Sequence, residues 1–557
     1  MSFCRKLVCQ VAYTLKYIQR DLGYASLKSQ RLSSWNTINI SNSLKSGRSP
    51  STCAGSFISV VQSRRTRTAA MAPKRKLGEA DNSEPSKKAA AGTPIVNPKR
   101  WRELNKGEVK EGPVIYWMSR DQRAKHNWAL LHACEVASKT GSPVAVVFNL
   151  MESYLGAGAR QFGFMLRGLK VLEPKLAELN IPFFIVKGDA TQTIPTFVAD
   201  SKAALLVTDF APTRHGREWR DTVATNIGEV PFHEVEAHNV VPTWVASDKR
   251  ETGARTIRPK IHRALPEWFK DIPAVEKQAA WTGQQPAKFD WDSEIAEVLE
   301  RGKDVPEVTW CEPGEDAGWE ALMGFLNRLK GYHELRNKPA AKALSNLSPY
   351  YHFGQLSCQQ AAVEVAKLKG KHKAEVDAFL EEAVVRRELS DNYVFYEPNY
   401  DNLDACAGWA KETLQKHSTD KREYIYTWDE LEKGETHDEL WNAAQHEMVY
   451  VGKMHGFMRM YWGKKILEWT ESPEQALDYA LRLNDKWELD GRDSNGYVGV
   501  MWSIGGVHDQ GWGEREIFGK IRYMNYAGCK RKFDIATYVK MVNAMVADVK
   551  KVRTFPF

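Results

Sequence analysis

Trp462 and Trp469 stand seven residues apart, which is two helical turns, so both fall on one face of a helix, with Trp441 on the helix before. Indole gives up an electron more readily than aliphatic side chains do. A row of closely spaced indoles can therefore carry an electron between a buried cofactor and the surface. The chain holds 19 tryptophans, and large aromatics mostly fill cores. It is spacing rather than number that sets these three apart. Immediately before Trp462, the run Arg459-Met-Tyr-Trp462 interleaves a cation with aromatic rings.

Other chemistries have weaker support. Histidines and cysteines are dispersed, with no CxxC pair and no metal-ligand spacing, so no metal site and no disulfide framework is expected. Gly156-Ala157-Gly158 is too short a glycine signal for a phosphate loop, and neither a GxGxxG nor a Walker A sequence occurs. The formal charge of +8 allows a polyanionic partner, and Arg515, Lys520, Arg522, Lys530, Arg531 and Lys532 form a late basic run interleaved with Tyr523 and Tyr526. No apolar run is long enough to span a membrane.

The elements that must position these residues fall into two kinds. Short apolar runs at Val114–Met118, Val144–Asn149, Phe183–Lys187 and Leu205–Asp209 read as parallel strands. Amphipathic stretches at about Lys125–Ser138, Gln161–Glu178 and Gly216–Asn226 are long enough for the crossovers. A doubly wound α/β domain over 101–241 follows, then a connection rich in Pro and Trp over 242–318. From 319 to 557 helical spacing dominates, so the second domain is mainly α.

Residues 1–70 carry eleven basic residues against the single acid Asp21, amid many serines, a composition typical of organelle transit peptides of chloroplast or mitochondrion. The segment 71–100 is a basic linker in which Lys74-Arg75-Lys76 and Lys87-Lys88 resemble a split nuclear localisation signal. Met71 could serve as an internal start, giving one product for an organelle and one for the nucleus.

The segment Leu344-Ser-Asn-Leu-Ser-Pro-Tyr-Tyr-His-Phe-Gly-Gln-Leu-Ser357 resembles the flavin-phosphate segment of photolyases. Further stretches follow in that family's order: Glu381–Asn392, Trp441–Gln445, Gly452–Trp462, Leu483–Asp485, Leu489–Asp493 and Trp502–Asp509. From about Lys99 onward the chain resembles the class II cyclobutane pyrimidine dimer photolyases. The resemblance implies an FAD site at Tyr332, Leu344, Ser345, Asn346, Leu347, Ser348, Arg387, Arg459, Asn484 and Asp490. In it Arg459 and Asp490 pair beside the isoalloxazine, and Asn484 contacts flavin N5. Backbone N–H groups after Ser345 would meet the pyrophosphate without a charge of their own.

The same resemblance implies that ultraviolet-damaged DNA is the partner. Trp502 and Met460 would line a pocket for the extruded dimer, with Glu382 hydrogen-bonding it and Glu381 the less favoured carboxylate; Arg515, Arg522, Lys530 and Arg531 would meet DNA. Fully reduced FAD would absorb light and pass one electron to the dimer, and the electron would return after ring opening. Trp462, as the flavin-proximal member, with Trp441 and Trp469 would photoreduce oxidised FAD. A deazaflavin or folate antenna in the α/β half, and a monomeric protein, are further expectations. The alternative is a cryptochrome-like blue-light receptor, whose usual hallmark is a long C-terminal effector tail; here the sequence stops at Phe557, soon after helical sequence.

Overall fold

The computed structural model describes residues 94–556. The transit-like tail and the paired basic clusters of the linker lie outside the described residues.

Six strands form one sheet in the order β1-β6-β5-β2-β3-β4. They are β1 (Trp101–Asn105), β2 (Val114–Met118), β3 (Val144–Leu150), β4 (Phe183–Lys187), β5 (Leu205–Asp209) and β6 (Phe232–Val235). Every residue of β2 and β5 is buried, as a sheet covered on both faces requires. Val114, Tyr116 and Met118 enter one core and Ile115 and Trp117 the other, which is the two-residue alternation of a strand. Helices α1 (Trp128–Thr140), α2 (Ala159–Glu178), α3 (Ala190–Asp200) and α4 (Arg214–Asn226) make the crossovers. Helix α1 is capped by Asn127, whose side chain accepts from the Ala129 and Leu130 N–H groups.

Two features differ from the sequence reading. The edge strand β1 pairs antiparallel with β6, so the sheet is mostly rather than wholly parallel. Neither β1 nor the four-residue β6 has an apolar run to announce it. Helix α3 also escapes a periodicity search, because Pro195 sits within it.

The segment 242–318 is substantially helical. Its α5 (Ala254–Trp268) packs with Val384, Val385 and Leu389, whereas Trp291, Ile295 and Val298 of α6 (Trp291–Arg301) join the core of the sheet. Beyond it, α7 (Arg387–Tyr396), α8 (Glu439–His446), α9 (Gly456–Trp469), α10 (Pro473–Trp487) and α11 (Ser494–Gly505) surround the principal helical core. Two π-helical turns interrupt this half, Glu381–Arg386 before α7 and Glu447–Val451 after α8. Such turns redirect side chains by one residue and gather at functional sites. No described helix is long and apolar enough to cross a membrane.

The half-buried Arg120 and the buried Arg123 join sheet to helices. Arg120 pairs with both carboxylate oxygens of Asp391 at 3.1 and 3.0 Å. Arg123 donates to the Gly354 carbonyl at 2.8 Å. Gly354 has φ +63°, and a Cβ there would lie 2.2 Å from the Arg120 carbonyl, so only glycine lets the two halves meet at this point.

Candidate functional site

A cavity of about 1510 Å³ opens in the helical half, and Leu344, Ser345, Asn346, Leu347 and Ser348 lie along it. A turn with Asn346 at φ 59° presents these residues. A second cavity of about 200 Å³ shares Tyr332, Ser345, Ser348, Glu382, Arg459 and Asp490 with the first and adds Arg387 and Tyr351. Between them the two cavities are lined by every member of the flavin set that the resemblance implies except Asn484.

Charge is distributed unevenly around them. Arg459, on α9, lies 3.0 Å from Asp490 and 2.8 Å from the fully buried Glu488. Burial works against ionisation of Asp490, but the Arg459 and Lys453 charges outweigh it and hold its pKa down at about 2. For Glu488 burial prevails over the pull of Arg459 and raises the pKa to about 7. The two carboxylates beside one guanidinium are therefore pushed in opposite directions, Asp490 toward the ionised form and Glu488 toward the protonated one. Lys453 donates to the Ser348 hydroxyl at 2.6 Å. Since the helix that starts at Ser348 has only five residues, this ammonium supplies the positive charge that backbone N–H groups alone would not.

Several buried polar atoms at the inner cavity have no hydrogen-bond partner in the protein: Arg387 Nη1, Tyr351 Oη and Arg459 Nε. Buried polar groups are rarely left unpaired. Arg387 is otherwise held by its Nε donating to the Ala383 carbonyl and its Nη2 to that of His238. Together with Lys453, these donors fit an anionic, hydrogen-bond-accepting cofactor such as FAD.

Asn484 lines neither cavity; its Nδ2 donates to Asp485 Oδ1 at 2.9 Å. It lies behind Gly496, a residue of the inner cavity wall, where a Cβ would come within 2.8 Å of that Nδ2. Glycine at 496 thus keeps the amide within reach of the cavity.

At the outer cavity, Met460, Trp502 and Glu382 share the lining with the flavin set. The π-helical turn separates the two candidate carboxylates. Glu381 forms a two-point pair with Arg258 and also meets Arg386, while Glu382 accepts from Arg336 at 2.7 Å and borders both cavities. Behind Trp502, Lys464 Nζ sits 4.7 Å from the ring centroid and donates to the Ser503 carbonyl at 2.9 Å. Burial lowers the Lys464 pKa to about 7.

Arg515 and Arg522 reach the cavity mouth. Arg522 is held by Asp509 at 2.7 and 2.9 Å and covers Trp512 at 4.0 Å, so its charge is shared rather than free. Lys530 and Arg531 lie apart, on a neighbouring depression with Lys532, which also borders the large cavity.

The three tryptophans are in contact. Trp441 and Trp462 stack with centroids 6.5 Å apart, and Trp441 meets Trp469 edge-on at 5.6 Å. Trp462 is oriented by its indole N–H donating to Gln445 Oε1 at 2.8 Å, and the Trp441 indole donates to the Trp462 carbonyl at 3.1 Å.

With this geometry in place, comparison with known proteins is decisive. A DNA photolyase family model matches residues 114–277. A deoxyribodipyrimidine photo-lyase of Arabidopsis thaliana is 55% identical over 477 residues, 83% of this chain and 96% of that protein. The chain belongs to the DNA photolyase family.

Among solved structures, a class III photolyase from Agrobacterium tumefaciens aligns with TM-score 0.59 at 17% identity, over 80% of this chain and 98% of that one. A Synechocystis cryptochrome aligns with TM-score 0.62 at 15% identity, over 79% and 90%. At such identities the likeness concerns the fold alone. Because photolyase and cryptochrome share that fold, the fold does not separate repair from signalling.

Residues at this photolyase-family site that the sequence reading passed over are Lys453, Tyr351, Glu488 and Asn495. Lys453 and Tyr351 sit within quoted motifs, Glu488 directly precedes Leu489–Asp493 and Asn495 lies two residues beyond it, so adjacency was the available signal. A third cavity, about 240 Å³, lies at the carboxyl ends of β2 and β5, where strand order reverses. Met118, Arg120, Tyr154 and Trp219 wall it, and His352 and Asp493, paired at 3.2 Å, border both it and the inner cavity of the helical half.

Proposed function

We propose that this family member is a deoxyribodipyrimidine photo-lyase that uses light and FAD to split cyclobutane pyrimidine dimers in DNA. One observation carries the reading: the cavity that Leu344–Ser348 and Arg459 line is also lined by Met460, Trp502 and Glu382. A cofactor and a flipped-out pair of bases would share one enclosure. FAD, when bound and fully reduced, supplies a light-driven electron.

The chain's own groups have separable tasks. Lys453 and Ser348 hold the pyrophosphate, and Arg387 and Tyr351 donate to the cofactor. Arg459, paired with Asp490 and Glu488, would give the bound flavin a fixed positive charge, and Asn484, behind Gly496, would offer it an amide. Photolyases are among the enzymes that take the target base out of the stack. Trp502 offers a face for the extruded pyrimidines, worth roughly 1–3 kcal/mol per stacked base. Glu382 accepts a hydrogen bond from the dimer while Arg336 holds it in place. Arg515, Arg522, Lys530 and Arg531 engage the DNA backbone.

The row Trp462, Trp441 and Trp469 delivers electrons that bring the cofactor to its reduced form. The cavity at the strand ends suits a planar antenna chromophore, a deazaflavin or a folate.

Binding tests the shared enclosure without light. The flavin-loaded protein should retain a duplex carrying one thymine dimer in preference to the undamaged duplex. Trp502→Ala and Glu382→Gln should each weaken that preference while leaving flavin content unchanged. Equal binding of damaged and undamaged DNA by the parent protein would contradict the proposal.

A further inference from the structure

Arg459 stands between the cavities of the helical half and a carboxyl that does not reach them. Arg459 and Asp490 line both cavities, whereas Glu488 lines neither and is 0% exposed. The Arg459 Nη2 group donates to Asp490 Oδ1 at 3.0 Å. Glu488 Oε2 lies 2.8 Å from that guanidinium but outside its hydrogen-bonding direction, and it accepts no hydrogen bond. Glu488 Oε1 accepts from the Met454 backbone N–H at 3.0 Å. One oxygen is thus occupied, and the other is able to hold a proton.

The other charged and titratable groups around this carboxyl come from separate elements. Lys453 follows the second π-helical turn, Asp490 follows α10, Arg160 lies on α2, and Tyr538 lies on the helix Ile535–Val552. Tyr538 donates its hydroxyl at 2.7 Å to Glu447, a second buried carboxyl that also accepts from the His455 backbone N–H at 3.1 Å. Against burial, Arg459 and Lys453 hold Asp490 ionised, while burial keeps the Tyr538 phenol protonated. Neither titrates near neutrality. At Glu488 burial opposes ionisation and Arg459 favours it, and the balance falls at about 7. A negative charge added on the cavity side of Arg459 raises that value further, because like charges repel strongly where water is excluded.

Resting on the reading that these cavities hold FAD, we propose that Glu488 is a proton acceptor linked to reduction of the bound cofactor. Two electrons from a reductant such as dithionite and one proton go to the cofactor, which gains one negative charge. A second proton, from solvent, converts the Glu488 carboxylate to a carboxylic acid. No bond forms between residue and cofactor; Arg459, which faces both, carries the electrostatic link. The enclosure keeps the same net charge before and after reduction. Above neutrality that favours the electron-loaded form over a site whose carboxylate stays ionised.

Spectroelectrochemical titration of the flavin-loaded full chain from about pH 5.5 to about pH 8.5 tests this window, with Glu488→Gln, Glu488→Asp and Glu447→Gln alongside the parent. Parent and Glu488→Gln should share one potential at the acid end, where both side chains are uncharged. Above about 7 they should diverge with the parent lower, by up to about 30 mV per pH unit, the equivalent of a tenfold change in proton activity for a two-electron couple. Glu488→Asp, which keeps an acid, and Glu447→Gln should both follow the parent. Infrared difference spectra on reduction at the alkaline end should show a new carboxylic acid C=O band in the parent, shifted in D₂O and missing from Glu488→Gln. Parallel potential curves for parent and Glu488→Gln, or a slope and band lost in Glu447→Gln instead, overturn the assignment of Glu488 and leave the FAD site standing. If Glu488→Gln fails to retain flavin, Glu488→Asp decides: a displaced carboxylic acid band supports the proposal, and an unchanged or absent one overturns it. A parent chain that retains no FAD overturns the reading of the cavities and the proposal with it.

Discussion

Trp441 lies against Trp462 with ring planes inclined by only 7° and centroids 6.5 Å apart. On the proposed reading that contact separates two uses of the cofactor, since it would belong to the route by which the flavin is reduced, while neither ring lines the cavity that Trp502 lines. Trp462→Phe should therefore impair photoreduction of oxidised flavin while repair by chemically pre-reduced protein stays largely intact. Parallel absorbance and dimer-loss assays check this, and equal loss of both would contradict the division.

Arg387 and Tyr351 present unpartnered polar atoms to the inner cavity. Arg387→Met should lower retained flavin, because a hydrogen bond from a charged donor contributes about 1.5–3 kcal/mol, roughly ten- to a hundred-fold in affinity. Tyr351→Phe should have a smaller effect in the same direction. Flavin released on denaturation, measured per mole of purified protein, gives the comparison.

Glu488 should make stability fall as pH rises through the weakly acidic range. Burial raises its folded pKa from 4.5 to about 7, so between these values the folded state holds a proton that the unfolded state has lost. The stabilisation is present below about 4.5 and is lost as pH approaches 7, on the order of 3 kcal/mol in all. Glu488→Gln should flatten that part of the profile in denaturant titrations of the flavin-loaded protein.

Lys464 acts in the opposite sense at higher pH. Its ammonium is destabilised by burial, so that the pKa falls from 10.5 to about 7. Between these values the unfolded chain binds the extra proton, and stability should rise with pH across the window. Lys464→Met should remove that rise. Below that pKa, where the group is an ammonium, it should also loosen Trp502, which loses a cation held 4.7 Å from its ring, an interaction worth about 0.5–2 kcal/mol. A weaker preference for dimer-containing DNA would report the loosening.

The parallel strands were legible because their runs, such as Val-Ile-Tyr-Trp-Met, are predominantly apolar; β2, β3 and β5 are fully buried or nearly so, whereas in the edge strand β4 only Phe183 is buried. Edge strand β1, with its alternating Trp-Arg-Glu-Leu-Asn, gives no such signal and is held by pairing with β6. Most of the flavin set was legible only through motif resemblance. Its residues come from the short helix that starts at Tyr332, the turn leading into Ser348, the start of α7, α9, α10 and the loop after α10, and no local periodicity links them. Lys453 and Glu488 were missed because their roles depend on which groups they face, Ser348 in one case and Arg459 in the other. The tryptophan spacing did foretell a shared face of α9, whereas the burial of Trp469 could be seen only in three dimensions.

The central claim is that this cavity uses light to reverse a DNA lesion, and dimer loss from defined DNA measures it directly. Chemically reduced, flavin-loaded protein mixed with a duplex carrying one thymine dimer should restore the two thymines under blue light and leave the dimer intact in darkness. Persistence of the dimer under illumination, with reduced flavin shown to be bound, would contradict the account and turn it toward a light receptor.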